Sequence, residues 1–296
     1  VDDAEQVLIQ LAAMMRGKYP HPGRVGVNDG LHFTGGEPFL NFDLLLHLVG
    51  VARRVGIPTI FVETNGFWCQ DDATTLERLR ALQAAGMDGI LVSANPFILE
   101  QIPFERTERA VRISRQVFGS NAIVYQAFFY EQFRGMGLTG RLAFEDYVER
   151  GGHGLQYVEL FANGRVPYRL AHLFRHVPAS QFYGVSCRRE LIRDWHIHVD
   201  SYCNYLPGFC GGLSLGDARQ LDALCDDGVD LDALPVIRAL MSDLEDLHRL
   251  GREYGYTDRV GYISKCHLCL DVRRHLARHG DFAELQPREL YEHLEA

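Results

Sequence analysis

The chain of 296 residues has no apolar run long enough to cross a bilayer, which excludes a transmembrane helix within it. Its opening residues, Val1-Asp2-Asp3-Ala4-Glu5, lack the basic stretch followed by an apolar one that marks a secretory leader. They also lack a starting Met, as a processed or truncated piece would. There is no low-complexity tract, convincing internal repeat or long linker, and with 47% hydrophobic and 23% charged residues wholesale disorder is excluded. Positive charge is in deficit: 30 Lys and Arg stand against 39 Asp and Glu, for a net charge of −9. Such a balance points away from nucleic acid and from anionic membrane surfaces as partners. Cysteine is sparse in the first half, where Cys69 stands alone, while Cys187, Cys203, Cys210, Cys225, Cys266 and Cys269 crowd the second. An odd count without a leader argues against a disulfide framework and for a cytoplasmic chain that uses its thiols for metal or redox chemistry.

The first half alternates between helical and strand patterns. Val7, Leu8, Leu11 and Met15 follow helical spacing behind Asp2 or Asp3 as a cap. A short strand at 31–33 runs into Thr34-Gly35-Gly36-Glu37-Pro38, and Asn41 caps a helix to about Val55. Further strands are expected at 57–62, 89–92, 122–129 and 157–161, with helices at about 72–85, 104–118 and 144–150 between them. Short continuous apolar strands interleaved with amphipathic helices predict an α/β fold with a parallel sheet, open or barrel-shaped. Ligands of such folds bind at the C-terminal strand ends, where Thr64-Asn65-Gly66, Ser93-Ala94-Asn95-Pro96 and the Gly35-Gly36 loop all lie. After about Val177 the periodicity breaks. Residues 184–216 are rich in Cys, Gly, Tyr and His, and helical stretches at 218–225 and 234–253 precede Lys265-Cys266-His267-Leu268-Cys269 and a basic helix to about Arg278. The expected division is 1–180, 181–275 for a metal-organised module, and a helical tail at 276–296.

Two segments carry chemistry. Cys266-x-x-Cys269 brings two thiolates to one side of a turn, the spacing that chelates one ion or one cluster face. Cys187 and Cys210 are candidates to complete a set of four, with Cys203 as a possible substitute, and spacing does not choose between zinc and iron–sulfur. Cys69 and Cys225 read as ordinary thiols. In Thr34-Gly35-Gly36-Glu37-Pro38 the paired glycines admit a ligand close to the backbone, and a buried Glu at a strand end suits a cationic amine. His32, His153, His196, His198 and His267 read as structural or surface histidines, Tyr202 and Tyr205 as hairpin packing, and Asp200 as a turn cap or a proton acceptor.

Gly35-Gly36-Glu37-Pro38 followed by Thr64-Asn65-Gly66 resembles the GGEP and TNG segments of the radical S-adenosylmethionine (radical SAM) superfamily, over roughly residues 1–165. Cys187, the segment His198 to Tyr205, Cys210 and Leu213-Ser214-Leu215-Gly216-Asp217 are similar to a SPASM or twitch auxiliary-cluster module, with Cys203 where that family often has the hairpin glycine. The resemblance implies a partial parallel (β/α)6-type barrel followed by a cysteine-rich module. It implies S-adenosylmethionine bound near Gly35, Gly36 and Glu37, with Thr64, Asn65, Ser93, Asn95, Gln126 and Arg165 as further contacts. It implies one auxiliary 4Fe-4S cluster on Cys187, Cys210, Cys266 and Cys269. The implied activity is generation of a 5′-deoxyadenosyl radical that abstracts hydrogen from a substrate. A peptide is the first expectation and a small molecule the second, with flavodoxin or ferredoxin as electron donor.

One departure is large. The CxxxCxxC motif that holds the family's SAM-cleaving 4Fe-4S cluster is absent, and none of the 34 residues before Gly35 is Cys. Either the motif and the first strand lie upstream of Val1, or the chain is a relative that binds a partner without catalysis. A zinc-stapled α/β enzyme with structural cysteines is a third reading.

Overall fold

The computed structural model describes residues 2–16, 21–157, 164–193 and 195–294. The chain divides into two compact units, Val1–Glu159 and Leu160–Ala296.

The first unit is α/β, with four parallel strands in the order β1 (Leu31–Phe33), β2 (Ile60–Thr64), β3 (Gly89–Ser93) and β4 (Ala122–Tyr125). Its helices are α1 (Asp2–Met15), α2 (Phe42–Val55), α3 (Asp72–Ala84), α4 (Pro96–Gln101), α5 (Phe104–Phe118), α6 (Ala127–Gly135) and α7 (Phe144–Gly151). Neighbouring parallel strands need a crossover, and α2, α3 and α5 supply one for each pair. β3 is buried along its whole length, as expected of a strand covered on both faces. Local chemistry sets the helix ends. Asn41, Asp71 and Asn95 accept from the backbone N–H three residues on, and Gly56, at φ 92°, closes α2 by donating to Ala52 and Arg53 carbonyls.

The N-terminal edge of the sheet is sealed by charge. Asp88 Oδ2 accepts from Arg53 Nη2 at 2.6 Å and from Ile60 N at 2.8 Å, while Arg53 also reaches the Gly86 carbonyl. Asn121 Nδ2 ties the Gly23 and Asp88 carbonyls together. The opposite edge carries the loops of interest.

Several boundaries differ from expectation. β2 begins at Ile60 rather than Ile57, because Ile57 N closes α2 on the Ala52 carbonyl and Pro58 has no N–H to donate. β4 stops at Tyr125 rather than Phe129, because Gln126 adopts φ 59°, ψ 50° and starts α6. Phe129, Tyr130 and Phe133 are then buried on one helical face beside Tyr147. Of the strand expected at 157–161, Tyr157 ends a 3-10 turn (Gly152–Tyr157) and 158–161 lie outside the described residues.

The second unit packs helices α8 (Val166–Arg169), α9 (Arg188–Leu191), α10 (Leu221–Asp227), α11 (Pro235–Ser242), α12 (Leu244–Glu253), α13 (Lys265–His279) and α14 (Arg288–Glu292) with an antiparallel hairpin, β5 (Ile197–Val199) and β6 (Tyr205–Pro207). The helix expected over 234–253 is two, since Asp243 turns extended (φ −156°) and caps α12 by accepting from Glu245 N. The division falls at 159/160 rather than near 180, because the 164–182 segment joins the second core. Ala179 is buried there, and Val177 bridges to Tyr262. The 276–296 segment is not a separate tail: Leu276, Phe282, Leu285, Tyr291 and Leu294 are buried in the same core. No helix among the described residues is long and apolar enough to cross a membrane.

Candidate functional site

At the C-terminal end of β1 the chain turns through Gly35 (φ 83°) and Gly36 (φ 56°), both exposed. Two successive left-handed residues disfavour any side chain with a β-carbon. A β-carbon built on either glycine meets nothing within 4 Å, so this stretch of backbone faces open space that a ligand can enter.

Glu37 follows, extended and buried. Its Oε1 accepts from Thr64 Oγ1 at 2.9 Å and from Phe39 N at 3.2 Å, and its Oε2 accepts from Asn65 N at 2.8 Å. Thr64 Oγ1 in turn accepts from Trp68 Nε1 and Gly66 N, and the Trp68 ring stacks on Phe39 at 3.9 Å. One carboxylate therefore locks the Gly-Gly-Glu-Pro loop to the Thr-Asn-Gly loop. Burial pushes the Glu37 carboxyl above its ordinary value; the hydrogen bonds from Asn65, Thr64 and Phe39 oppose this, and the charge of Glu63 adds to it.

Glu63 is the residue the sequence reading missed. Its Oε2 accepts from Thr34 Oγ1 at 2.9 Å and its Oε1 from Ser93 Oγ at 2.7 Å, so it links the ends of β1, β2 and β3. The signal was present: a carboxylate inside Ile-Phe-Val-Glu-Thr, an otherwise apolar strand, immediately before Thr64. Asn65 Oδ1 accepts from Phe67 N, and Asn95 Oδ1 caps α4 on Ile98 N. Gln126, just past the end of β4, is a non-glycine residue in the left-handed region. A non-glycine residue held there is the kind of strain that collects at functional sites. Thus Gly35, Gly36, Glu37, Thr64, Asn65, Ser93, Asn95 and Gln126 all lie at one sheet edge. The hydrogen bonds of Glu37 run to the chain's own groups, and the half-buried Glu63 accepts one hydroxyl on each oxygen, which leaves the glycine backbone as the open part of this edge. Arg165 belongs to the second unit, where its Nε donates to the His293 carbonyl.

The second unit gathers the thiols. Cys266 and Cys269 lie in the first two turns of α13, a helix capped by Ser264 Oγ on His267 N, rather than on a free-standing tight turn. Their i, i+3 spacing puts both on one helical face. Cys187 starts α9, which Glu190 ties to α13 through Lys265 Nζ at 2.5 Å. Cys210 follows β6, and its loop is tied to α13 by Arg273 Nη1, which donates to the Gly211 carbonyl at 3.0 Å. Cys187 and Cys269 are buried in one core cluster with Cys210 packed against it. Burial pushes the Cys187 thiol up to about 12 and the Cys210 thiol up to about 11; each also feels the charge of Cys269, and Cys210 that of Cys266. Burial likewise raises Cys266, with Cys269 next in effect. The four thiols share one neighbourhood, but among the described residues no group of three or more His, Cys, Asp or Glu is arranged to hold a metal ion directly.

The other candidates take structural parts. Cys203 is the hairpin turn residue, at φ 64°, the conformation a glycine would favour there. Asp200 caps that turn through the N–H groups of Tyr202 and Asn204, and Tyr202 donates to Glu289. His267 is buried, accepts from Ile263 N, and is held by desolvation down to about 4. Cys69 is buried and Cys225 exposed in other elements.

In comparisons with known proteins, the chain matches no family model and no curated protein.

Proposed function

We propose that this chain is a radical SAM-type enzyme. In this reading the parallel sheet is part of a (β/α)6-type partial barrel that holds S-adenosylmethionine, and the second unit holds one auxiliary 4Fe-4S cluster. The observation that carries the reading is the Glu37 bridge. The two segments that resemble family motifs, 27 residues apart in sequence, are locked together by one carboxylate at the ligand-binding edge of a parallel sheet.

The residues present fit the groups. The open left-handed Gly35-Gly36 backbone and the Glu63 carboxylate suit the amine of an amino acid. Burial raises the thiols of Cys187, Cys210 and Cys266, and a cationic iron–sulfur core would offset the desolvation of their thiolates. S-adenosylmethionine at a reduced iron–sulfur cluster would supply hydrogen-atom abstraction from a substrate; the CxxxCxxC motif that holds such a cluster in the family does not occur in these 296 residues. Gly35 and Gly36 would bind the amine, Glu37 and Thr64 would hold the two loops in register, and Glu63 would orient the ligand by its charge. Cys187, Cys210, Cys266 and Cys269 would hold the auxiliary cluster. A peptide is the proposed substrate and a flavodoxin- or ferredoxin-like protein the proposed electron donor.

Anaerobic iron, sulfide and zinc analysis tests this directly. About four irons with matching sulfide are expected for this chain. The content should fall on Ser substitution of Cys187, Cys210, Cys266 or Cys269, and stay unchanged on Cys69→Ala or Cys225→Ser. Zinc without sulfide would replace the reading with a zinc-stapled fold.

A further inference from the structure

We infer that Arg273 is a positioning residue for the group held by the thiols, donating a hydrogen bond from Nε and raising the reduction potential of an iron–sulfur cluster bound there. The inference rests on the auxiliary-cluster reading above. Arg273 stands four residues after Cys269 and seven after Cys266, on the same face of α13. The residue is 2% exposed. Nη1 donates to the Gly211 carbonyl at 3.0 Å and to Tyr291 Oη at 2.9 Å, which fixes the guanidinium plane. Nε is buried with no hydrogen-bond partner among the described residues.

No carboxylate pairs with Arg273 among the described residues either; burial opposes its charge, Tyr291, Cys269 and Cys210 favour it, and its side chain also hydrogen-bonds with Cys269. Buried charges in proteins are paired or bound to a ligand of opposite sign, and a buried N–H without an acceptor is unfavourable. Both deficits sit beside the thiol set. Both are met by one kind of ligand: a compact anion with sulfur acceptors, which is what four thiolates around a four-iron, four-sulfide core present. The N-terminal end of α13, with Lys265, adds positive potential at the same place. Positive charge and hydrogen bonds to sulfur favour the reduced form of such a cluster.

The test uses the full chain, reconstituted anaerobically with iron and sulfide, and reads the auxiliary-cluster potential by EPR-monitored titration in wild type, Arg273→Met and Arg273→Lys. With iron and sulfide loading equal to wild type, Arg273→Met is expected to lower the reduction equilibrium constant at least tenfold, which is 59 mV for a one-electron couple. Arg273→Lys, which keeps the charge and loses the Nε donor, should fall between. An unchanged potential in a fully loaded variant overturns the inference and leaves the cluster reading standing. If neither variant loads, wild-type protein with 15N-labelled arginine decides. A hyperfine coupling from an arginine nitrogen to the reduced cluster is expected, and its absence overturns the inference. Wild type that takes up no iron and sulfide removes the cluster reading and this inference with it.

Discussion

Replacing Glu37 with Gln is the sharpest probe of the bridge between the two strand-end loops, because it keeps the shape and removes the charge. The carboxylate accepts on both oxygens: Phe39 N and Thr64 Oγ1 on one, Asn65 N on the other. An amide has one acceptor oxygen and one donor group. If its oxygen stays on the Thr64 side, its NH2 meets Asn65 N–H at 2.8 Å, donor against donor. If it flips, the NH2 meets Phe39 N–H, and the Thr64 hydroxyl is already committed to Trp68 and Gly66. Either way one backbone N–H loses its acceptor in a site where Glu37 is 8% exposed.

A buried donor left without a partner costs about 1–3 kcal/mol. Burial outweighs the hydrogen bonds in setting the Glu37 ionisation, so loss of the charge itself removes no net stabilisation. We therefore expect Glu37→Gln to destabilise the first unit by about 2 kcal/mol at neutral pH, a fall in Tm of about 4–8 °C for a unit of this size. The pH dependence has a definite sign. A carboxyl raised above its unfolded value binds more protons in the native state, so wild-type stability gains as pH falls through the window from the raised value to the ordinary 4.5. Glu37→Gln lacks that gain, so the gap between the two proteins should widen as pH falls. Thermal unfolding by circular dichroism from pH 7 to pH 4 reads both effects. A variant as stable as wild type at pH 7, or a gap that narrows towards pH 4, refutes the argument.

Three further outcomes follow from single positions. Gly89→Ala would drive a β-carbon into the Asn121 carbonyl and to 2.8 Å from Val25 Cγ2, so β3 and β4 must separate; urea unfolding should show a loss of about 3 kcal/mol. Cys203→Gly relieves a left-handed non-glycine residue, which outweighs the added freedom of the unfolded chain, and should raise stability by about 0.5 kcal/mol with metal content unchanged. Loss of iron in that variant would instead make Cys203 a ligand. Tyr291→Phe removes a buried hydroxyl that donates to the Gly212 carbonyl and accepts from Arg273, and should destabilise the metal-free protein by about 2 kcal/mol in guanidinium unfolding. A neutral result there would mean that the loop carrying Cys210 is held by other contacts.

The parts of this molecule legible in the sequence are those governed by local chemistry. Asn41, Asp71 and Asn95 mark helix starts because a short polar side chain is the natural acceptor for the first N–H groups, and the structure uses each of them so. β3 reads as a strand from Ile90-Leu91-Val92 because nothing but burial suits that run. The misreadings came where tertiary context decided. Ala122 to Phe129 looks like one β-rich segment, yet Gln126 breaks it, and the aromatics beyond it earn burial on a helix against Tyr147. Glu63 went unnoticed because its significance lies in Thr34 and Ser93, about thirty residues away on either side. The division between units was misplaced for the same reason: Val177 finds its partner in Tyr262, 85 residues on.

Helix α13 shows where a residue-type reading misleads and a physical one does not. Its arginines suggest a basic, solvated surface helix. Yet Leu268, Cys269, Leu270, Asp271, Val272, Arg273, Arg274 and Leu276 are all buried, so the helix runs through the core of its unit. A helix buried on all sides must answer for each charge it carries. Asp271 is answered by Arg259 Nε and the Tyr256 hydroxyl, both at 2.7 Å, and by Tyr168. Arg273 finds two oxygens for one nitrogen and none for Nε, and no counter-ion among the described residues. Asp271 and Arg273 lie two residues apart on this helix, and Arg274, the third buried charge, stands over the Tyr168 ring. Asp271, on the side away from the thiols, is complete without a ligand, while Arg273, in line with Cys266 and Cys269, is not. That asymmetry favours an anionic occupant over a neutral, close-packed thiol cluster on the Arg273 face.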